Sequence, residues 1–235
     1  MTLLLNQRRM SQPQYACGVD WANPITRGLA FLWSSNNARE LITGIAPTTQ
    51  TGTKRPTANG IGYTIGSQSD VVLFDAKSTP DLSGRDYTIM VWMDRRGNST
   101  DAWRALISAR DTVGAPGYWS VGGYGTDFEL TLGGTAVKFG NPSTADAANC
   151  SYSVVGRPGY ARGFVDGAQI GTEMVTQTLA SGSNSVRLSQ SRGDSPNELL
   201  LGDYRMAAIF KRALSAVEIA SLHANPWQLF KPAVA

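Results

Sequence analysis

Residues 159–172 read GYARGFVDGAQIGT, with an extended segment on either side of the dipeptide Asp166-Gly167. Asp-Gly is the strongest short hairpin signal in a sequence, because both residues accept the positive φ angles of a type I′ turn. Residues 199–210 (LLLGDYRMAAIF) are predicted to form a further strand pair. The last third of the chain therefore predicts a β-sheet.

One short helix follows this sheet. Ser215 and Glu218 have the spacing of a capping box, and Leu214 and Ile219 occupy the two positions of a hydrophobic staple, so the start of the helix is indicated twice. Pro226 predicts that the helix ends at about residue 225. The remaining residues, 225–235, are predicted to form a bulky C-terminal clamp that contains Trp227, Leu229 and Phe230.

Composition limits the class of protein. At 235 residues, 42% of them hydrophobic, the chain can bury a sizeable core in a single all-β domain. The arginines are scattered, with only Arg8-Arg9 and Arg95-Arg96 adjacent, whereas a nucleic-acid reader would carry a basic stripe. No apolar run has the length of a membrane span, and Leu3, Leu4 and Leu5 precede the first arginines, which is the reverse of a secretory signal. We therefore expect neither a nucleic-acid nor a membrane partner.

Cys17 and Cys150 could form one disulfide bond, but their separation carries no information about pairing. In a protein made in the cytosol, two buried free thiols are the expected state.

Short strands are predicted along the whole chain. Residues 86–93 (DYTIMVWM) carry apolar side chains at alternate positions on both faces, so they are predicted to form a central strand that is covered on both sides. Further strands are predicted at residues 30–33, 71–74, 103–108, 118–121, 128–132, 137–139, 152–155 and 186–189. Residues 36–60 are predicted to be a loop. Turn signals at this spacing indicate a sandwich or jelly roll.

The strand ladder, the Phe164-Val165-Asp166-Gly167 hairpin and the helix sequence ALSAVEIASL resemble the laminin-G-like branch of the concanavalin A-like lectin/glucanase superfamily over residues 87–222. The resemblance implies an all-β fold, a concanavalin A-like β-sandwich jelly roll with one short C-terminal helix. Two flanking segments, residues 23–29 (NPITRGL) and 225–230 (NPWQLF), resemble the ends of such proteins encoded by tailed bacteriophages.

The phage resemblance implies a non-enzymatic structural or adhesive component of a virion, either a capsid decoration or a tail- or baseplate-associated protein. Its partners would be copies of itself and other virion proteins. A glycan-binding module for host attachment is the alternative, and a hydrolase of surface polysaccharide is the third.

The domain organisation predicted from the sequence is an arm at residues 1–20 followed by one laminin-G-like domain at residues 21–235. The arm is polar and has no periodicity, so on its own it would be disordered. We expect the arm and the clamp to dock on neighbouring chains. The predicted assembly contacts are Leu3, Leu4, Leu5, Arg8, Arg9, Trp227 and Phe230.

Catalytic residues are not predicted. Related glucanases carry an E-x-D-x-x-E strand, whereas this chain has only Asp127-Phe128-Glu129, in which the alternation of a strand places both carboxylates on one face. His223, the single histidine, is interpreted as a charge at the end of the helix, since no nucleophile elbow is present.

Sugar binding requires aromatic rings beside polar groups. Four aromatic residues in the middle of the chain are the candidates: Trp103, Tyr118, Trp119 and Tyr124. Many laminin-G-like domains hold calcium, and the loop-adjacent aspartates that could contribute are Asp75, Asp111, Asp127 and Asp146. A calcium site needs six or more oxygen ligands, which the sequence does not bring together, so no cofactor is predicted. Residues 191–196 (SRGDSP) are interpreted as a turn rather than as an adhesion motif.

Overall fold

The computed structural model describes residues 12–13, 17–67, 69–96, 103–112, 116–124, 127–140, 147–190 and 200–232. These residues form two stacked β-sheets, in which every pairing is antiparallel. The all-β sandwich expected from the sequence is confirmed.

Sheet I has the strand order β14-β13-β12-β7-β16-β5-β4, and β2 also pairs with β16. Its strands are β2 (Leu29–Ser34), β4 (Thr53–Thr57), β5 (Gly60–Ile65), β7 (Tyr87–Arg95), β12 (Ala147–Arg157), β13 (Tyr160–Val165), β14 (Ala168–Val175) and β16 (Gly202–Phe210).

Sheet II has the strand order β11-β10-β9-β8-β15-β6-β3. Its strands are β3 (Thr49–Gln50), β6 (Val72–Leu73), β8 (Trp103–Ala109), β9 (Trp119–Tyr124), β10 (Asp127–Leu132), β11 (Thr135–Gly140) and β15 (Val186–Leu188). A separate ribbon joins β1 (Cys17–Val19) to β17 (Phe230–Pro232).

The main core lies between the two sheets. Strand β7 contributes Tyr87, Ile89, Val91 and Met93 to this core, whereas its Met90 and Trp92 belong to a second core on the opposite face of sheet I. The expectation of a central strand covered on both sides is therefore confirmed.

The second core lies between sheet I and the helix α1 (Ala216–Ala224). The capping box forms as predicted, with Ser215 Oγ accepting from Glu218 N at 3.3 Å and Glu218 Oε2 accepting from Ser215 N at 2.9 Å. Both residues of the predicted staple, Leu214 and Ile219, are buried. Trp92 Nε1 donates to Leu222 O at 3.2 Å, which anchors the helix to the sheet.

The predicted hairpin is also present. It joins β13 to β14, and Asp166 and Gly167 at its turn have φ angles of 50° and 81°. Positive φ at both positions is the requirement that made Asp-Gly informative.

Two predictions about strands are wrong. The strand pair predicted over residues 199–210 is not found in the described part of that range, because residues 202–210 form one strand, β16, that pairs with β7 along its whole length. Gly202 is not a turn residue there: a Cβ on it would lie 2.6 Å from the carbonyl oxygen of Asp94, so glycine permits close contact between strands. The predicted loop at residues 36–60 contains β3 and β4, which form because they pair with strands later in the chain.

The domain boundary predicted between residues 20 and 21 lies in a region that packs against the rest of the chain. Strand β1 pairs with β17, and the buried Gln12 Nε2 donates to Ser35 Oγ and Ile61 O at 3.1 Å each. Residues near the two ends of the chain are hydrogen-bonded to each other: Asn23 Nδ2 donates to Gln228 O at 3.1 Å, and Asp20 N donates to Leu229 O at 2.8 Å.

The prediction that Trp227 and Phe230 are assembly contacts is wrong. Both side chains are buried against this chain's own sheet I, with their rings 6.0 Å apart, so they have little surface to offer a neighbour. The other predicted assembly contacts, from Leu3 to Arg9, lie outside the described residues.

Cys17 and Cys150 are free thiols. Cys150 is buried, as expected, but Cys17 is only half-buried. Burial raises the pKa of both thiols.

Candidate functional site

The predicted sugar-binding aromatics separate into two pairs. Trp103 on β8 and Tyr124 on β9 occupy directly paired register positions in sheet II. Tyr118 and Trp119 are buried, with exposures of 5% and 2%. The prediction that these two rings bind a sugar is corrected by the structure, because a stacking platform needs an accessible ring face.

Acidic residues lie on the next strand of sheet II, in register with Trp103 and Tyr124 or close to that register position. Asp127 on β10 pairs with Tyr124, and Glu129 pairs with Gly122 two positions along. The neighbouring core residues Phe128 and Leu130 face the main core, so the two carboxylates lie on the outer face of sheet II.

Lys138 on β11 links the two carboxylates. It is paired in register with Glu129, and its Nζ lies 2.8 Å from Asp127 Oδ2 and 3.4 Å from Glu129 Oε1. We refer to Asp127, Glu129 and Lys138 as the charged cluster. The lysine is 56% exposed, whereas Glu129 is 3% exposed beneath it.

Lys138 was not among the site residues predicted from the sequence. The signal that could have found it is the dipeptide Gly133-Gly134, a two-residue turn that sets Leu132 opposite Thr135. Counting along the two strands from that turn places Lys138 opposite Glu129.

The ionisable groups of the charged cluster differ in what raises their pKa values. Burial raises the pKa of the Glu129 carboxyl above its ordinary value of 4.5, and the Lys138 ammonium opposes that rise. The hydrogen bond to Asp127 raises the pKa of Lys138, so the ammonium stays charged at neutral pH. The cluster can therefore both donate and accept hydrogen bonds, at Lys138 and Asp127 respectively.

Stability should depend on pH through Glu129. Because its pKa is raised on folding, the native state binds more protons than the unfolded state at pH values just above 4.5, and stability falls as the pH rises through that interval. Urea unfolding of wild type and Glu129→Gln across this range should show wild type losing stability relative to the variant as the pH rises. Parallel curves would contradict the assignment, since all other titrating groups are common to both proteins.

The candidate calcium ligands do not converge. Asp75 caps a 3₁₀ turn by accepting from Lys77 N at 2.8 Å, Asp111 accepts from Arg187 Nη2 at 3.0 Å, and Asp127 contacts Lys138. Asp146 lies outside the described residues. Within the described part of the chain, no three His, Cys, Asp or Glu residues are grouped closely enough to hold a metal ion.

His223 has a structural partner. Its Nδ1 lies 2.9 Å from Ser151 Oγ, but Ser151 is fully buried between α1 and sheet I, where no substrate could reach its hydroxyl. The position of His223 in the last turn of α1 agrees with its interpretation as a helix-end residue. The turn predicted at residues 191–196 lies outside the described residues.

The family comparison agrees with the fold. A family model described as the concanavalin A-like lectin/glucanases superfamily matches residues 65–220. No curated protein sequence matches the chain.

Solved structures with the same fold include three informative examples. The binding domain of Paraclostridial Mosquitocidal Protein 1 is 12% identical with a TM-score of 0.65, over 85% of this chain and 52% of that one. Domain 4 of AbnA, a GH43 extracellular arabinanase from Geobacillus stearothermophilus solved with arabinotriose, is 12% identical with a TM-score of 0.61, over 83% of this chain and 98% of that one.

The third example is the binding domain of Botulinum neurotoxin DC in complex with SialylT, which is 14% identical with a TM-score of 0.60, over 87% of this chain and 52% of that one. This chain spans about half the length of the two toxin binding domains. At these identities the likeness concerns the fold alone.

Among the described residues, none of the helices has both the length and the apolar character of a membrane span.

Proposed function

The chain belongs to the concanavalin A-like lectin/glucanases superfamily, and from this premise we propose that it is a non-enzymatic adhesive component of a bacteriophage particle that binds glycans on the outer face of sheet II. The observation that supports the proposal is a continuous row of residues across the strands of sheet II. Trp103, Tyr124 and Asp127 occupy paired positions on three adjacent strands, and Lys138 follows through its ion pair with Asp127.

This row has the chemistry that carbohydrate recognition needs. A sugar ring presents an apolar face that packs on aromatic rings and a rim of hydroxyls that hydrogen-bond with charged and amide groups. Aromatic residues placed by strand register next to a donor–acceptor pair would serve both requirements. Two of the solved structures with the same fold are binding domains, and one is solved with arabinotriose.

The charged cluster argues against hydrolysis. A retaining glycosidase needs a nucleophile and an acid about 5 Å apart, with the scissile bond between them. Here the Lys138 ammonium contacts both Asp127 and Glu129, so it lies where the reacting atoms would have to enter. The third acidic position of the glucanase strand is absent from this sequence.

The assignment to a phage particle rests on the two flanking segments. Residues 23–29 and 225–230 resemble the ends of tailed-phage proteins with this domain, and they contact each other beside the β1–β17 ribbon. Mass spectrometry of purified particles of a phage that encodes the chain should detect it in stoichiometric amount. Its absence from such particles would contradict the virion assignment.

Glycan binding can be tested on an array with the protein displayed in many copies, since the affinity of one site should be weak and avidity should supply the rest. Tyr124→Ala or Trp103→Ala should reduce the signal by about tenfold or more, which corresponds to about 1.4 kcal/mol. Trp21→Ala is the matched control, because Trp21 is 57% exposed and lies outside sheet II.

Glu129→Gln distinguishes binding from catalysis. Neither wild type nor the variant should release reducing ends from bacterial polysaccharide. Reducing ends that appear with wild type and vanish with Glu129→Gln would establish a hydrolase. Equal array signals for wild type and Tyr124→Ala would exclude this face of sheet II as the glycan site.

A further inference from the structure

A groove of about 300 Å³ lies on the outer face of sheet I, in the other sheet from the charged cluster. Val155 and Gly156 of β12 line it together with Asp86, which precedes β7, and Ala213, which precedes α1. The volume is at the low end of the range for small-molecule sites, about 300 to 1,000 Å³. The groove therefore suits one terminal unit of a ligand better than a long chain.

An exposed aromatic ring lies along this groove. Tyr160 begins β13 directly after a tight turn and keeps 43% of its surface exposed. The guanidinium carbon of Arg157 lies 5.0 Å from the centre of the ring. Most other aromatic side chains in the described residues are buried in the two cores, so the exposure of Tyr160 at a groove is notable.

Three charged side chains from adjacent strands line the groove together with the ring. Arg157 on β12 donates to Glu173 Oε1 on β14 at 2.7 Å, and Arg162 Nε on β13 lies 3.8 Å from Glu173 Oε2. The second distance is too long for a hydrogen bond, so the oxygen of a ligand could bridge the two groups. Glu173 and Arg162 are each about one-third exposed.

The charges that line the groove balance. Arg157 and Arg162 supply two positive charges, and Asp86 and Glu173 supply two negative charges. Because the opposite charges balance, a carboxylated or phosphorylated ligand gains no net attraction there, whereas neighbouring hydroxyls can accept from a guanidinium and donate to a carboxylate at once. From this arrangement we infer that the groove binds the terminal residue of a neutral glycan, with its apolar face on Tyr160 and its hydroxyls hydrogen-bonded to Arg162 and Glu173.

This site is separate from the one on sheet II, and none of its residues was among the site residues predicted from the sequence. Its signal in the sequence is the run from Arg157 to Arg162 (RPGYAR), in which a Pro-Gly turn brings an aromatic residue next to arginine. Glu173 is added only by the pairing of β13 with β14.

The test is a titration of the ¹⁵N-labelled 235-residue chain with the methyl glycosides of glucose, galactose and mannose, and with sodium glucuronate. At least one neutral glycoside should cause saturable shifts of backbone amides in β12, β13 and β14. Glucuronate should bind about tenfold more weakly or not at all, because the desolvation of its carboxylate is not offset in a groove whose charges balance.

Variants locate the site. Tyr160→Ala and Arg162→Ala should each weaken binding by about tenfold, whereas Tyr160→Phe should keep it, since stacking needs the ring and not its hydroxyl. Val175→Ala is the matched control: Val175 pairs with Tyr160 across the strands, is 74% exposed and does not line the groove. Unchanged melting temperatures would show that all four variants are folded.

Each contrary result has a definite meaning. No saturable shift with any neutral glycoside, or wild-type affinity in Tyr160→Ala, would overturn the groove as a binding site. Tighter binding of glucuronate than of the neutral glycosides would overturn the ligand class. Shifts confined to β8, β9 and β10 would also overturn the groove while supporting the sugar site on sheet II, so the two proposals can fail independently.

Discussion

Trp92→Ala is expected to lower the free energy of unfolding by about 3 to 5 kcal/mol, the usual range for removing a large buried aromatic side chain. Trp92 is 1% exposed and lies in the second core, between sheet I and α1. The substitution would leave a cavity under the helix and would remove the hydrogen bond from Nε1 to Leu222 O. Urea unfolding monitored by far-ultraviolet circular dichroism would give the change.

Two further variants separate packing from hydrogen bonding. Trp92→Phe keeps most of the apolar volume but not the N–H, so it should cost less than the alanine variant. Val217→Ala is the surface control, because Val217 is 80% exposed on the same helix and should change stability by less than about 0.5 kcal/mol. A loss for Trp92→Ala no larger than that of Val217→Ala would show that the helix is not held by this ring.

Glu40→Ala is expected to cost at least about 3 kcal/mol, because each buried donor left without an acceptor costs about 1 to 3 kcal/mol. The Glu40 side chain is fully buried and serves four donors. Oε1 accepts from Leu32 N at 2.7 Å and from Ile42 N at 2.8 Å, and Oε2 accepts from the backbone N–H of Thr43 at 2.6 Å and from its hydroxyl at 2.7 Å. The carboxylate thus ties the segment after β2 to sheet I.

Glu40→Gln tests the explanation. Glutamine keeps the length of the side chain and one acceptor oxygen, but its NH₂ group would face N–H donors, so the loss should lie between zero and that of alanine. Hydrogen exchange should become faster at Ile42 and Thr43 in both variants. A cost below 1 kcal/mol for Glu40→Ala, with exchange unchanged at these amides, would mean that water replaces the carboxylate without penalty.

The elements that sequence reasoning found correctly all depend on neighbours in the chain. The hairpin at Asp166-Gly167 and the capping box of Ser215 and Glu218 each need only a few consecutive residues, since they arise from allowed φ angles and unsatisfied backbone N–H groups. The alternation along residues 86–93 likewise predicted which side chains of β7 face each core. These features could be predicted because they depend only on residues that are close together in the sequence.

The failures involve partners that are distant in sequence. Strands β3 and β4 have little apolar pattern of their own and exist because β5 and β6 pair with them. Trp119 and Trp227 looked available for ligands or neighbours, yet both are buried, because an aromatic residue on a strand or clamp can face either way. Only the stacking of the two sheets and the docking of the clamp decided these orientations.

By itself, the sequence determined the all-β class, the hairpin, the capped helix and the central position of β7, because those features follow from backbone geometry and from the alternation of apolar residues. The turn at Gly133-Gly134 could have placed Lys138 opposite Glu129, but the structure showed that its ammonium contacts both Asp127 and Glu129, and only the tertiary structure brought Glu173 between Arg157 and Arg162. Both sites depend on register between strands, and a shift of one residue would turn every side chain to the opposite face.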